Sequence, residues 1–190
     1  MLSKVKRRCW AGAMLVTLLG LGGHSVVLAG SLPTSLQMAE IKLATPASAG
    51  AEEYLGLADG RSFALSQIEA KFIVLGYYAQ QCPYCHEQAP AANRIYESIH
   101  LDPVLKRDVK MLGVMVGGNP EKTAAYASAH NIIYPMTYDP FFDLYRRLNN
   151  PRVPLTLLLT GDGEILLSFT GAMRDPEEFV KKIKKFHSGR

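Results

Sequence analysis

The sequence predicts an α/β fold, with a central mixed β-sheet flanked by α-helices. Three observations carry that expectation. Two mostly apolar runs, Lys71 to Ala79 and Asp108 to Val116, have the length and continuous hydrophobicity of strands covered on both faces. Between them lies a helix-length segment in which Ala92, Ile95 and Ile99 recur at spacings of three and four. Farther on, Leu155 to Thr160 and Glu164 to Phe169 flank Gly161-Asp162-Gly163, a hairpin signal.

Taken in order, the chain begins with a segment of different character. Lys4, Lys6, Arg7 and Arg8 precede an apolar run from Trp10 to Gly23, and Val27-Leu28-Ala29 supplies small or apolar residues at a cleavage site. Residues 1–29 are therefore expected to be a secretory signal peptide. The apolar run is shorter than the roughly 20 residues that cross a bilayer, but an uncleaved segment from Trp10 to Gly30 just reaches, so an N-terminal anchor is the alternative. This segment holds four of the 21 basic residues and none of the 17 acidic ones, so the remainder carries equal numbers of each. The sequence pI of 8.9 thus gives no reason to expect nucleic acid or anionic lipid as a partner.

Residues 30–50, rich in small side chains toward their end, read as a linker or arm, leaving residues 51–190 as the folded domain. Tyr54 to Leu57 and Ser62 to Leu65 flank Asp59-Gly60 and suggest a small hairpin, with Ser66 capping a short helical turn. The strand, helix, strand unit that follows is expected to be a right-handed crossover between parallel strands. Asn119-Pro120, Asp139-Pro140 and Asp175-Pro176 each put a capping side chain before a proline at a first helical position. The last of these helices keeps Phe179, Ile183 and Phe186 on one face and its lysines on the other.

Export implies a compartment in which disulfides form, yet beyond Cys9 in the leader the chain has only Cys82 and Cys85. A bridge across two intervening residues closes nearly the shortest possible loop, and in the chain-entropy picture it stabilises little. Cys82-Pro83-Tyr84-Cys85 is therefore read as a redox dithiol at the start of a helix. Unpaired backbone amides and the positive end of the helix favour a thiolate at Cys82, the expected nucleophile. Cys85, one turn inward, is placed to resolve the mixed disulfide. This chemistry needs no cofactor.

Pro83 suits the first helical position, Tyr84 is expected at the surface beside the dithiol, and a protonated His86 would stabilise a thiolate. His100, His130 and His187 have no partner at motif spacing and read as surface or helix-end residues. A copper or zinc module built on the two cysteines and a histidine is the alternative from another functional class. No second cysteine pair completes such a site, and no metal ligand is assigned.

With these residues in place, residues 51–190 resemble the thioredoxin-like superfamily, and within it the TlpA/ResA-like thiol-disulfide oxidoreductases related to the redoxin and AhpC/TSA proteins. The likeness rests on Ala58 to Ser66, on Phe72 to Cys85, on Pro90 in the helix, and on Val153-Pro154 followed by Leu155 to Leu159 and Gly161-Asp162-Gly163. It implies a thioredoxin-like fold, a cis Pro154 lying against the dithiol, and a Val153 backbone that binds an extended substrate segment. It also implies a periplasmic or otherwise extracytoplasmic oxidoreductase, membrane-associated only through an uncleaved N-terminal segment. Its partners would be exported thiol or disulfide proteins and a membrane electron donor.

Two departures stand out. Gly76 occupies the position where thioredoxin has a buried carboxylate, leaving water or Glu87 as proton acceptors during resolution. The Pro-Tyr pair is similar to that of glutaredoxins, while a histidine after the second cysteine resembles some periplasmic oxidants and isomerases. Dithiols of this kind span about −270 to about −120 mV, roughly 7 kcal/mol. The expectation is a reductant, with a Dsb-type oxidant or isomerase as the alternative.

Overall fold

Alternation along the central strands decides where the two cores lie. The computed structural model describes residues 31–189, and every residue of β3 (Phe72–Tyr78) is buried in it. Phe72, Val74 and Tyr78 enter one hydrophobic cluster, whereas Ile73, Leu75 and Tyr77 enter another. That period of two puts one core on each face of the sheet.

The sheet has five strands in the order β5 (Met136–Asp139), β4 (Val109–Val116), β3, β6 (Leu155–Thr160) and β7 (Ile165–Thr170). β3, β4 and β5 are parallel, whereas β6 is antiparallel to β3 and β7 to β6. α2 (Pro83–Leu101) follows β3, and a shorter α3 (Pro103–Asp108) leads into β4. The chain then runs through α4 (Pro120–Ala129), β5 and α5 (Asp143–Arg147), and α6 (Pro176–Ser188) closes it. On the first face Ala92, Ile95 and Ile99 of α2 pack with Tyr126 of α4 and with Phe179 and Ile183 of α6, as their spacing predicts.

The opposite face shows where the sequence reading needs correction. Residues 31–44, expected to lie in a linker or arm, are built into the domain. Leu36, Met38, Ile41 and Leu43 are buried against Ile73, Leu75 and Tyr77. β1 (Lys42–Ala44) pairs antiparallel with β2 (Ser62–Ala64). The hairpin expected around Asp59-Gly60 is therefore replaced by a longer-range pairing, and part of its first arm is helical, in α1 (Ala51–Leu55). Sheet burial explains the exchange: residues 31–44 complete the cover that Leu55, Leu65, Leu144 and Leu148 give to the odd-numbered face of β3, at about 25 cal/mol per Å² of apolar surface. Ser66 lies within a 3₁₀ turn, Leu65–Gln67, instead of capping it, and Gln67 Oε1 accepts the Ala64 N–H at 2.6 Å.

Among the proline-started helices, Asn119 Oδ1 accepts from Lys122 N at 2.8 Å and Asp175 Oδ1 from Glu178 N at 3.0 Å. Asp102 does the same before Pro103, for Val104 and Leu105. Asp139-Pro140 differs, because Asp139 ends β5 and the helix starts at Asp143. Its carboxylate still serves that helix, accepting from Asp143 N at 2.9 Å, Tyr145 N at 3.1 Å and the Tyr77 hydroxyl at 2.8 Å. The signal peptide or anchor expected at residues 1–29 lies outside the described residues. Among the described residues no helix is long and apolar enough to cross a membrane.

Candidate active site

β3 ends at Tyr78, and four residues later the chain turns into α2 with Cys82 as its N-cap and Pro83 at the first helical position. Pro83 fits there because it has no N–H to leave unpaired. Cys82 has an extended backbone, φ −97° and ψ 109°, which aims its side chain back over the first turn. Its Sγ accepts the Cys85 N–H at 3.2 Å and donates to the Val153 carbonyl at 3.5 Å. Pro90 lies inside α2 and withholds one donor from the helix ladder.

The two sulfurs differ sharply in access. Cys82 is half-buried, whereas Cys85 is fully buried beneath α2. Burial pushes the Cys85 thiol well above its ordinary range. A backbone hydrogen bond from Ala79 acts in the other direction, and the neighbouring Cys82 adds to the rise. One sulfur can meet a protein partner in solution, whereas the other reaches a substrate only through the first.

Across from the dithiol, the Val153–Pro154 peptide bond is cis and precedes β6, as the family resemblance implies. The Pro154 carbonyl accepts from Gly171 N at 2.8 Å. Gly171 has φ +101°, a conformation that disfavours any residue with a Cβ. Met173 N donates to Gln88 Oε1 at 2.6 Å, so the loop after β7 is tied both to the cis-proline strand and to α2. Tyr84, 62 % exposed, lines a shallow groove with Glu87 and Gly171 to Arg174. Glu87 therefore stands on the solvent side of α2, away from the buried Cys85.

His86 is exposed, and its Nε2 pairs with the Gln80 carbonyl at 2.9 Å. Its ring lies 4.6 Å from that of His130, and both sit near Tyr126. His130 is held below the ordinary imidazole range, first by burial and then by His86. Sequence spacing gave no hint of this pairing, because α4 brings His130 to α2 only through the tertiary fold. His100 stacks on Tyr96, and His187 pairs with Asp108 at 2.8 Å at the far end of α6. Among the described residues no three His, Cys, Asp or Glu side chains are grouped to hold a metal ion.

Three tyrosines that the sequence reading did not single out pack behind Cys85. Tyr126 donates its hydroxyl hydrogen bond to the Cys85 carbonyl at 2.7 Å and stacks on Tyr78, centroids 5.9 Å apart. The Tyr134 hydroxyl donates to that of Tyr78 at 3.2 Å.

A dithiol at a helix start, beside a cis-proline strand in a five-stranded mixed sheet, is an arrangement that can be compared with known proteins. The AhpC/TSA family profile matches residues 46–167, well over half of the chain. The chain belongs to the AhpC/TSA family. Within this thioredoxin-like group, it is 25 % identical over 129 residues to the thiol-disulfide oxidoreductase ResA of Halalkalibacterium halodurans, covering 66 % of this chain and 70 % of that one. It is 26 % identical over 128 residues to ResA of Geobacillus kaustophilus, with the same coverage. Among solved structures, a secreted Mycobacterium tuberculosis disulfide oxidoreductase homologous to Escherichia coli DsbE superposes with a TM-score of 0.55 at 19 % identity, covering 75 % of this chain and 94 % of that one. StoA from Bacillus subtilis superposes with 0.55 at 18 % identity, covering 75 % and 97 %. These superpositions establish the thioredoxin-like fold for this family member.

Proposed function

We propose that this thiol-disulfide oxidoreductase works outside the cytoplasm, exchanging disulfides with exported proteins through Cys82 and Cys85, and that it runs as a reductant. The observation that carries the reading is the asymmetry of the pair: an accessible sulfur capping α2, with a buried sulfur one turn behind it. Cys82, as thiolate, attacks one sulfur of a substrate disulfide. A Cys82–substrate bond forms, the substrate S–S bond breaks, and the released thiolate takes a proton from water. Cys85 then loses its proton and attacks Cys82 Sγ, forming the Cys82–Cys85 disulfide and releasing the second substrate thiol. Two electrons pass from the dithiol to the substrate, and an electron donor at the membrane restores the thiols.

Val153 supports substrate binding in this scheme. Its carbonyl already takes the Cys82 S–H, and it stands where an extended peptide would meet the site. Pro83 starts the helix, Tyr84 and His86 flank the dithiol, and Pro154 faces it. The leader at residues 1–29, whether cleaved or retained as an anchor, supports an extracytoplasmic location, and the names of the ResA relatives support thiol-disulfide exchange as the reaction.

The test is a trapping experiment with a disulfide-bonded exported protein. Cys85→Ser should accumulate a mixed disulfide through Cys82, and Cys82→Ala should abolish both the adduct and reductase activity. Full activity in Cys82→Ala overturns the assignment. A dithiol potential above about −150 mV would replace the reductant with the Dsb-type oxidant.

A further inference from the structure

The tyrosine cluster behind Cys85 has a use in the second half of this reaction. Gly76 and Tyr78 project to the same face of β3, the face that α2 covers. The Tyr78 side chain folds back over Gly76 so far that a Cβ placed on residue 76 would stand 2.2 Å from the Tyr78 hydroxyl oxygen. A phenol thus fills the space that a side chain at position 76 would take, beneath the dithiol helix.

Tyr78 is fully buried, which pushes its hydroxyl up to about 12, so it keeps its proton at any physiological pH. Its oxygen accepts from Tyr134, and this leaves its own hydrogen to donate elsewhere. Tyr126 stacks on the same ring and anchors the Cys85 carbonyl, fixing the phenol relative to the first turn of α2. Tyr78 and Cys85 are packed in the same buried cluster, so charge developing on Cys85 bears on this hydroxyl. A buried thiolate with no donor is costly, and a hydrogen bond to a charged group offsets far more than one between neutral groups.

We propose that Tyr78, oriented by Tyr134, donates a hydrogen bond to the Cys85 sulfur as it becomes a thiolate, and so sets the rate at which Cys85 resolves the mixed disulfide. No proton is transferred from Tyr78. Cys85 gives its proton to water, the Cys85–Cys82 bond forms, the Cys82–substrate bond breaks, and the departing substrate thiolate is protonated from water. The proposal rests on the dithiol reading above and deepens it.

The test separates the two half-reactions by stopped flow. An adduct is formed at Cys82 with an aromatic disulfide whose thiolate is coloured, and release of the second coloured thiolate reports resolution. Tyr78→Phe removes only the hydroxyl. It should form the adduct at the wild-type rate but resolve it about tenfold to a hundredfold more slowly, with the pH profile of resolution moved upward, as expected for one lost hydrogen bond to a charge. Tyr134→Phe should slow resolution less, in the same direction. Resolution by Tyr78→Phe at the wild-type rate and pH profile overturns the inference while leaving the dithiol reading intact. Failure of the wild-type protein to form the adduct overturns both. Should Tyr78→Phe not fold, wild-type resolution by Tyr134→Phe overturns the proposal. A merely structural role would lower the melting temperature without moving the pH profile.

Discussion

Substituting Gly76 by alanine tests the packing on which the site is built. Glycine inside a strand is normally a weakness, and its replacement by alanine gains roughly 0.5–1 kcal/mol where the backbone tolerates it. Here the sign should reverse. The new Cβ would lie 2.2 Å from the Tyr78 hydroxyl oxygen, and 2.6 Å and 2.7 Å from two ring carbons, all far inside contact distance. The ring has nowhere to go, because it is fully buried, stacked on Tyr126 and hydrogen-bonded to Tyr134. Overpacking costs about 1–3 kcal/mol and loss of the Tyr78–Tyr134 bond about 1 kcal/mol more, so Gly76→Ala should destabilise by about 1–3 kcal/mol after the backbone gain is set against them. Urea unfolding of the single variants and of Gly76→Ala in a Tyr78→Val background forms a double-mutant cycle. In the smaller background the alanine should be neutral or stabilising. A Gly76→Ala loss below about 0.5 kcal/mol, or an equal loss in both backgrounds, refutes the packing argument.

Two further outcomes follow from burial and charge elsewhere in the fold. Under native conditions iodoacetamide should modify Cys82 and spare the buried Cys85, as read by peptide mass spectrometry; equal labelling of both would contradict the burial difference. Asp108, nearly buried, is held well below the usual carboxylate range by Arg107 first, then His187 and Lys71. Its folded-state pKa is depressed, so its contribution to stability is present above the unfolded value of about 3.9 and is lost as pH falls through the folded value. Asp108→Asn should therefore be less stable than wild type at neutral pH, with the gap closing below about pH 4 in thermal melts. A gap independent of pH would remove the carboxylate from the account.

The parts of the fold legible in the sequence are those whose signal is local. β3 and β4 announce themselves by continuous apolar runs, and Gly161-Asp162-Gly163 marks the turn between β6 and β7. Asn119 and Asp175 cap helices within three residues of themselves. What stayed hidden depends on partners far along the chain. β5 is four residues, Met-Thr-Tyr-Asp, with no apolar run to reveal it, and it forms because β4 offers an unpaired edge. β1 and β2 are three residues each and stabilise one another across 20 positions of sequence. Asp139 looked like a cap beside its proline, but β5 claims the proline's neighbourhood and the carboxylate reaches past it to Asp143. At the site, the dithiol and the cis-proline segment are readable from motif. The approach of Tyr78 to Gly76, and of His130 to His86, exists only after packing.

The double anchoring of the loop that follows β7 bears on how this protein can change its choice of partner. Gly171 is bonded to the Pro154 carbonyl and Met173 to Gln88, while the groove beside Tyr84 is walled by the residues between and just beyond. A segment pinned at two points two positions apart has no slack, so adding or deleting a residue there would pull on both the dithiol helix and the cis-proline strand. Divergence of specificity is thereby channelled into side-chain identity at Ala172 and Arg174, with loop length held constant. An engineer seeking a new substrate should follow the same route, grafting residues onto the wall rather than extending it.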